Sequence, residues 1–188
     1  ISKQEALMRV EPDQLSQLLA PVFDEKEKKN GVKVAKGINA GPGAASGRVA
    51  FSAERAVEFA KSGPTVLVRP ETNPDDIEGM DAAVGILTAI GGRTSHAAVV
   101  ARGMGKPCIV GCSQLKINEE TAVMAVDGHQ VKEGESISID GFTGEVFIGK
   151  IPTLPSEIVR VLRGEMNAKD SDLFQTFKEF MGLADQIR

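Results

Sequence analysis

The chain has no tryptophan and no tyrosine, and its aromatic residues are eight phenylalanines. Nucleic-acid modules built on stacking platforms need more rings and a basic surface. With 22 basic against 26 acidic side chains and a net charge of −4, no nucleic-acid partner is expected. No apolar run approaches the ~18 residues of a membrane span, so no membrane partner is expected either. Cysteine is scarce: Cys108 and Cys112 stand four apart with no second pair. That excludes a disulfide scaffold and a four-cysteine zinc site, and points to a reducing compartment rather than secretion. The first residues, Ile1-Ser2-Lys3-Gln4-Glu5, form neither a signal peptide nor an initiator start, so the chain reads as a piece of a longer one. What is present, 188 residues at 41% hydrophobic, suffices for one domain with a real core and short appendages.

Three textures follow one another. In residues 1–32, Pro12–Ala20 reads as a helix with Leu15, Leu18 and Leu19 on one face. The run from Asp24 to Gly31 reads as a solvated charged linker. From Val32 to Lys150 glycine is dense and short apolar runs recur. Arg48–Phe51, Thr65–Arg69, Ala83–Thr88, Cys108–Val110, Thr121–Val126, Ser136–Asp140 and Glu145–Gly149 read as strands. Helices are expected at Glu54–Lys61, after the strong start Asn73-Pro74-Asp75-Asp76, and from Ser95 to Arg102. Strands with interleaved helices, then strands alone, predict an α/β domain with a mixed sheet. In residues 151–188, helices are expected at Ser156–Arg163 and Asp170–Ile187, the second with Leu173, Phe174, Phe177, Phe180, Met181 and Leu183 along a broad apolar face. The organisation expected is therefore a linker over 1–32, a domain over 33–150 and a second linker over 151–188.

One segment carries chemistry: Gly91-Gly92-Arg93-Thr94-Ser95-His96-Ala97-Ala98-Val99-Val100-Ala101-Arg102-Gly103. The glycines permit a tight turn after a strand. Thr94 or Ser95 can cap the new helix, which puts His96 in its first turn, where free backbone N–H groups point outward. Neutral imidazole is a good nucleophile near pH 7. Attack on phosphorus would give His96 a group of roughly −2 charge, and a helix N-terminus stabilises anions by about 0.3–1 kcal/mol. Arg93 could add charge-assisted hydrogen bonds, and Thr94 could fix the ring tautomer. Position alone favours the plainer reading, a polar residue at a helix start or a satisfied core group. Metal binding is disfavoured because His129 is remote and no ligand lies at i+4 from His96. A Ser95–His96 hydrolase is disfavoured because helix neighbours do not face each other. Gly41–Gly47 fits no nucleotide fingerprint and reads as a turn before a strand, or as a border of the His96 site. Cys108 and Cys112 read as core thiols, His129 as an exposed loop residue, and Lys106 as a solvated charge at a helix end.

Ile86-Leu87-Thr88 followed by Gly91 through Lys106 closely resembles the phosphohistidine signature of the pyruvate phosphate dikinases, within the wider group of phosphoenolpyruvate (PEP)-utilising enzymes. Gly41–Gly47, Val66–Thr72 and Asp75–Met80 resemble the same group, and Leu183–Arg188 resembles the linker before the dikinase barrel. The resemblance implies a swivelling β/β/α phosphohistidine domain with flanking linker helices. It implies a phosphoryl carrier, with phosphate held on Nε2 of His96 and Gly92, Arg93, Thr94 and Ser95 supporting it. The phosphate would pass between an N-terminal nucleotide-binding domain and a C-terminal PEP/pyruvate barrel, both outside this chain, in the reaction ATP + phosphate + pyruvate = AMP + pyrophosphate + PEP. Mg²⁺ would act in the full-length enzyme, outside this chain, and that enzyme would be a homodimer. Thr94 matches a position modified by a regulatory kinase/phosphatase. The implied location is cytoplasm or an organelle lumen such as plastid or glycosome. The alternatives are a PEP synthase-like enzyme and a non-catalytic docking module.

Overall fold

The computed structural model describes residue 5 and residues 8–186. The chain divides into two compact units, one from Val22 to Leu154 and one from the two flanking segments. Ile187, the last residue of the second expected linker helix, lies outside the described residues.

The larger unit is built on one eight-stranded mixed sheet. Its strands are β2 (Val32–Lys36), β3 (Ile38–Gly41), β4 (Ala44–Ala50), β5 (Thr65–Arg69), β6 (Gly85–Thr88), β7 (Cys108–Val110), β11 (Ser136–Asp140) and β12 (Glu145–Ile148), in the order β2-β12-β11-β4-β5-β6-β7-β3. The four strands β4 to β7 run parallel and the others antiparallel. The two edges, β2 and β3, are consecutive in the chain and separated by Gly37 alone. A one-residue connection between opposite edges requires the sheet to curl until they meet. Glycine is needed at that corner: a Cβ on Gly37 would lie 2.6 Å from Ile109 Cγ2 and 2.9 Å from the Val110 carbonyl oxygen. The opposing Gly144, at φ +79°, donates nothing but space there, and its carbonyl accepts the Gly37 N–H at 2.9 Å.

Strand residues alternate between two cores, as a period of two requires. Val66, Val68 and Leu87 face the interior of the curled sheet with Val49, Ile109, Ile137 and Ile139. Leu67 and Ile86 face the other way, beneath helices α3 (Ala53–Ala60), α4 (Ile77–Ala82) and α5 (His96–Gly103). Small residues at the helix–sheet contact (Ala56, Ala97, Ala98 and Ala101) let the helices lie close. The result is a layered mixed α/β fold, as expected. A separate three-stranded antiparallel sheet, order β10-β9-β8, is formed by β8 (Lys116–Asn118), β9 (Val123–Val126) and β10 (His129–Lys132).

The charged run 24–31 departs from its linker reading. It forms helix α2 (Glu25–Asn30), capped by Asp24 and preceded by strand β1 (Val22–Phe23), which pairs with β13 (Thr153–Leu154). Lys28 reaches Asp140 at 2.5 Å and Glu145 at 3.0 Å, and the Phe23 ring meets Phe147 edge-on at 6.3 Å between centroids. Charge composition predicted solvent; two buried-side acids and an aromatic contact tie the segment to the sheet instead.

In the smaller unit, α1 (Pro12–Leu19) and α7 (Asp172–Asp185) both pack on α6 (Glu157–Leu162). Ser171 caps α7, accepting the Phe174 N–H at 3.0 Å, and donates its hydroxyl to Glu157 at 2.6 Å.

Candidate functional site

Parallel strands β5 and β6 carry the site at their C-terminal ends. Their ladder continues past the strands: the Ala89 N–H bonds the Arg69 carbonyl at 3.2 Å and the Ile90 N–H bonds that of Pro70 at 2.9 Å. The loops after the two strands therefore run side by side, in the position where open α/β sheets bind ligands.

The second loop, 89–95, is held from several directions. Gly91 has φ +119°, a conformation that side chains resist. Its carbonyl packs so tightly on Gly111 that a Cβ there would come within 2.5 Å. Arg102 donates to the Arg93 carbonyl at 2.7 Å, and Arg93 donates to Asn39 Oδ1 at 3.1 Å. The Ser95 N–H bonds the Gly92 carbonyl at 3.0 Å. Ser95 is the N-cap of α5, its hydroxyl accepting the Ala98 N–H at 3.4 Å. His96 is then the first helical residue and is half-buried.

The ring of His96 has one protein partner among the described residues: its Nδ1 lies 3.1 Å from Thr72 Oγ1. Thr72 comes from the first loop and is buried. Thr94, which sequence reasoning offered as the group that orients the ring, is exposed and precedes the helix; the hydroxyl at the ring is that of Thr72, from the neighbouring loop. Thr72 was missed because the partner is 24 residues distant. The available signal was parallel pairing of two strands read from sequence, which places their following loops together. Of the expected site residues, Ser95 shares the helix start with His96, Gly92 shapes the turn, Arg93 is exposed and engaged by Asn39, and Thr94 is free of the ring.

The remaining candidates fall outside this site. Cys108 and Cys112 are buried free thiols, pushed up by burial to about 12 and about 11. His129 opens strand β10, exposed, with Nδ1–H donated to the Asp127 carbonyl at 2.9 Å. Gly41 ends β3 and Gly47 lies inside β4, so Gly41–Gly47 spans a strand end, a turn and a strand. Lys106 corrects its reading as a solvated end charge: its ammonium donates to the Ala83 carbonyl at 2.7 Å and to that of Asp81, satisfying the C-terminus of α4, and burial lowers its pKa against the opposing pull of Asp81. Among the described residues no group of three or more His, Cys, Asp and Glu side chains gathers to hold a metal ion, and no helix is long and apolar enough to cross a membrane.

Residues 62–144, which include β5, β6, Thr72 and the whole of α5, match the family of PEP-utilising enzyme mobile domains. The chain carries a PEP-utilising mobile domain. Within that family it is similar to proteins named pyruvate, phosphate dikinase. It is 48% identical over 159 residues to the one from Clostridium symbiosum, which covers 84% of this chain. It is 48% identical over 172 residues to a chloroplastic one from Arabidopsis thaliana, covering 91% of this chain. It is 45% identical over 159 residues to the one from Rhizobium meliloti, covering 84%. The chain spans 18% of the length of each of these relatives, so the mobile domain is matched here to one segment of much larger proteins.

Proposed function

We propose that this chain is the phosphoryl-carrier part of a pyruvate phosphate dikinase, with His96 Nε2 as the carrier atom. The observation that carries the reading is the commitment of Nδ1 to Thr72 at the start of a helix. A ring nitrogen attacks only through its lone pair. When Nδ1 holds the proton and donates it to Thr72 Oγ1, the Nε2 lone pair is the free one. With PEP as donor, Nε2 forms the N–P bond, the P–O bond breaks, and the electron pair leaves on the oxygen of pyruvate enolate. The resulting phosphoryl group sits near unpaired backbone N–H groups of α5 and the positive end of its dipole. Arg93, if released from Asn39, adds a cation.

The proposed carrier domain comprises Val22–Leu154, and the helical flanks act as its linkers. Its partners are the nucleotide-binding domain and the PEP/pyruvate barrel of the same enzyme, which would also hold Mg²⁺ and form the homodimer. The site is cytoplasmic or within an organelle such as a plastid. Thr94, exposed and two residues before His96, suits a regulatory kinase/phosphatase: phosphate there places about −1.5 to −2 charge beside the carrier.

The test is to incubate this chain with PEP, Mg²⁺ and a separately prepared barrel domain, and weigh the intact protein. Acid-labile phosphate on the native chain and none on His96→Ala is the expected result. A label that survives in His96→Ala, or none on the native chain, overturns the reading.

A further inference from the structure

We propose that Asp76 is a positioning residue for the His96 imidazole, acting through the four-residue loop that carries Thr72; the inference rests on the carrier reading above. Asp76 is a buried carboxylate, 4% exposed, that touches both ends of that loop. At the near end, Oδ1 lies 3.3 Å from Arg69 Nε. That Nε is buried and has no hydrogen-bond partner, so the carboxylate is its electrostatic compensation. Arg69 is itself fixed, donating Nη1–H to the Phe51 carbonyl at 2.8 Å and pairing with Glu119. At the far end, Asp76 Oδ2 accepts the Asn73 N–H at 3.0 Å.

The bond to the Asn73 N–H is also the reciprocal half of a capping box on the short helix that begins at Pro74, but capping requires neither the burial of this acid nor its pair with Arg69. Asn73 already accepts the Asp75 N–H through its own side chain at 2.9 Å, and an exposed acid would serve the dipole. A carboxylate taken out of water costs free energy unless it is paired and hydrogen-bonded. What its burial accomplishes is to tie Arg69 to Asn73 and so set where the chain between them lies. Thr72 is in that span, and its hydroxyl is the partner of His96 Nδ1. A shift of a few tenths of an ångström from 3.1 Å is enough to weaken that bond. The ring then loses its bias toward the Nδ1–H tautomer, the form with a free Nε2.

The experiment is ring ¹⁵N NMR of His96 in this chain, at a pH where free imidazole is neutral, for the native protein and for Thr72→Ala, Asp76→Ala, Asp76→Asn and Thr72→Ala/Asp76→Ala. The native ring should show a protonated Nδ1 and a pyridine-type Nε2. Thr72→Ala should lose that pattern, and Asp76→Ala should lose it to a similar degree. Asp76→Asn keeps an acceptor for the Asn73 N–H and should restore part of it. In the Thr72→Ala background, Asp76→Ala should change nothing further. A ring spectrum unmoved by Asp76→Ala in a protein with a native amide spectrum overturns the proposal. So does an Asp76 effect that persists without Thr72. Should Asp76→Ala not fold, Asp76→Asn carries the same comparison: a ring spectrum identical to native overturns the proposal. PEP-dependent labelling, read separately, should slow about two- to tenfold in Asp76→Ala, the scale of one lost hydrogen bond. A native chain that takes no label refutes the carrier reading and leaves the ring comparison readable.

Discussion

Two threonines near one histidine illustrate what a hydroxyl does by place rather than by sequence distance. Thr94 is two residues from His96 and exposed; Thr72 is 24 residues away, buried, and 3.1 Å from Nδ1. A valine at either position keeps the shape and removes the hydroxyl. Thr72→Val should slow PEP-dependent phosphorylation of His96 by about two- to tenfold, since a net hydrogen bond of about 0.5–1.5 kcal/mol is lost. Thr94→Val should leave the rate within a factor of two or so of native. Rapid-quench measurement of acid-labile phosphate on both variants decides it; equal slowing by both would remove the special place of Thr72.

At the scale of elements, the corner that closes the sheet tolerates no side chain. Gly37→Ala drives a methyl into Ile109 and the Val110 carbonyl. The obstruction is partly backbone, so β7 or the corner itself must move, at a cost of about 1–3 kcal/mol by the usual measure of overpacking. Chemical denaturation should show the lower midpoint with an unchanged slope. Helix α2 supplies a second, pH-dependent tie. Burial pushes the Glu145 carboxyl up, but bonds from Lys28 and Thr143 outweigh it and the net shift is down. Burial likewise lowers Lys28, and its bonds to Asp140 and Glu145 overcome this and raise it. Glu145 thus contributes stability above its unfolded value near about 4.3 and loses it as pH falls through the lower folded value. Lys28 contributes below about 10.4 and loses it as pH rises through the raised folded value. The melting-temperature difference between the native chain and Lys28→Met should be widest from pH ~5 to ~10 and narrow at both ends. A difference flat across pH would deny the tie.

These elements also show what the residues disclosed. Thr65–Arg69, Cys108–Val110 and Ser136–Asp140 are legible to the residue because the first two are short apolar runs and the third alternates isoleucine with polar residues. Strands β2 and β3 are not, because Lys33, Lys36, Gly37 and Asn39 interrupt any apolar run; only pairing with β12 and β7 makes them strands. Helix α2 was hidden for a similar reason, since six residues reading EKEKKN carry no apolar face and are fixed by the Asp24 cap and by Lys28. At the site, the helix start and His96 follow from Gly91-Gly92 and Ser95. The Thr72 contact needs two strands side by side, which no local pattern states.

For the whole molecule, the question is where an autonomous domain ends. Texture alone suggests 33–150. The contacts argue for Val22–Leu154. Phe23 and Ile151 share a buried cluster with Ala44 and Phe147. Ile151 also serves a buried hydroxyl pair: its carbonyl accepts from Ser46 at 2.6 Å and its N–H donates to Ser138 at 2.9 Å, while the two hydroxyl oxygens lie 2.7 Å apart. A piece covering 33–150 removes Phe23, Ile151 and Lys28 together. Losing one buried phenylalanine alone costs about 3–5 kcal/mol, while the two hydroxyls keep each other and Ser138 keeps the Gly149 carbonyl at 2.8 Å. Domains of this size have total stabilities of only about 5–15 kcal/mol. The piece 22–154 should therefore unfold cooperatively and keep the native ring signals of His96. The piece 33–150 should be partly unfolded at 25 °C or melt far lower. Calorimetry of the two decides the boundary: equal melting temperatures would mean that β1, α2 and β13 are attached to the domain without supporting it.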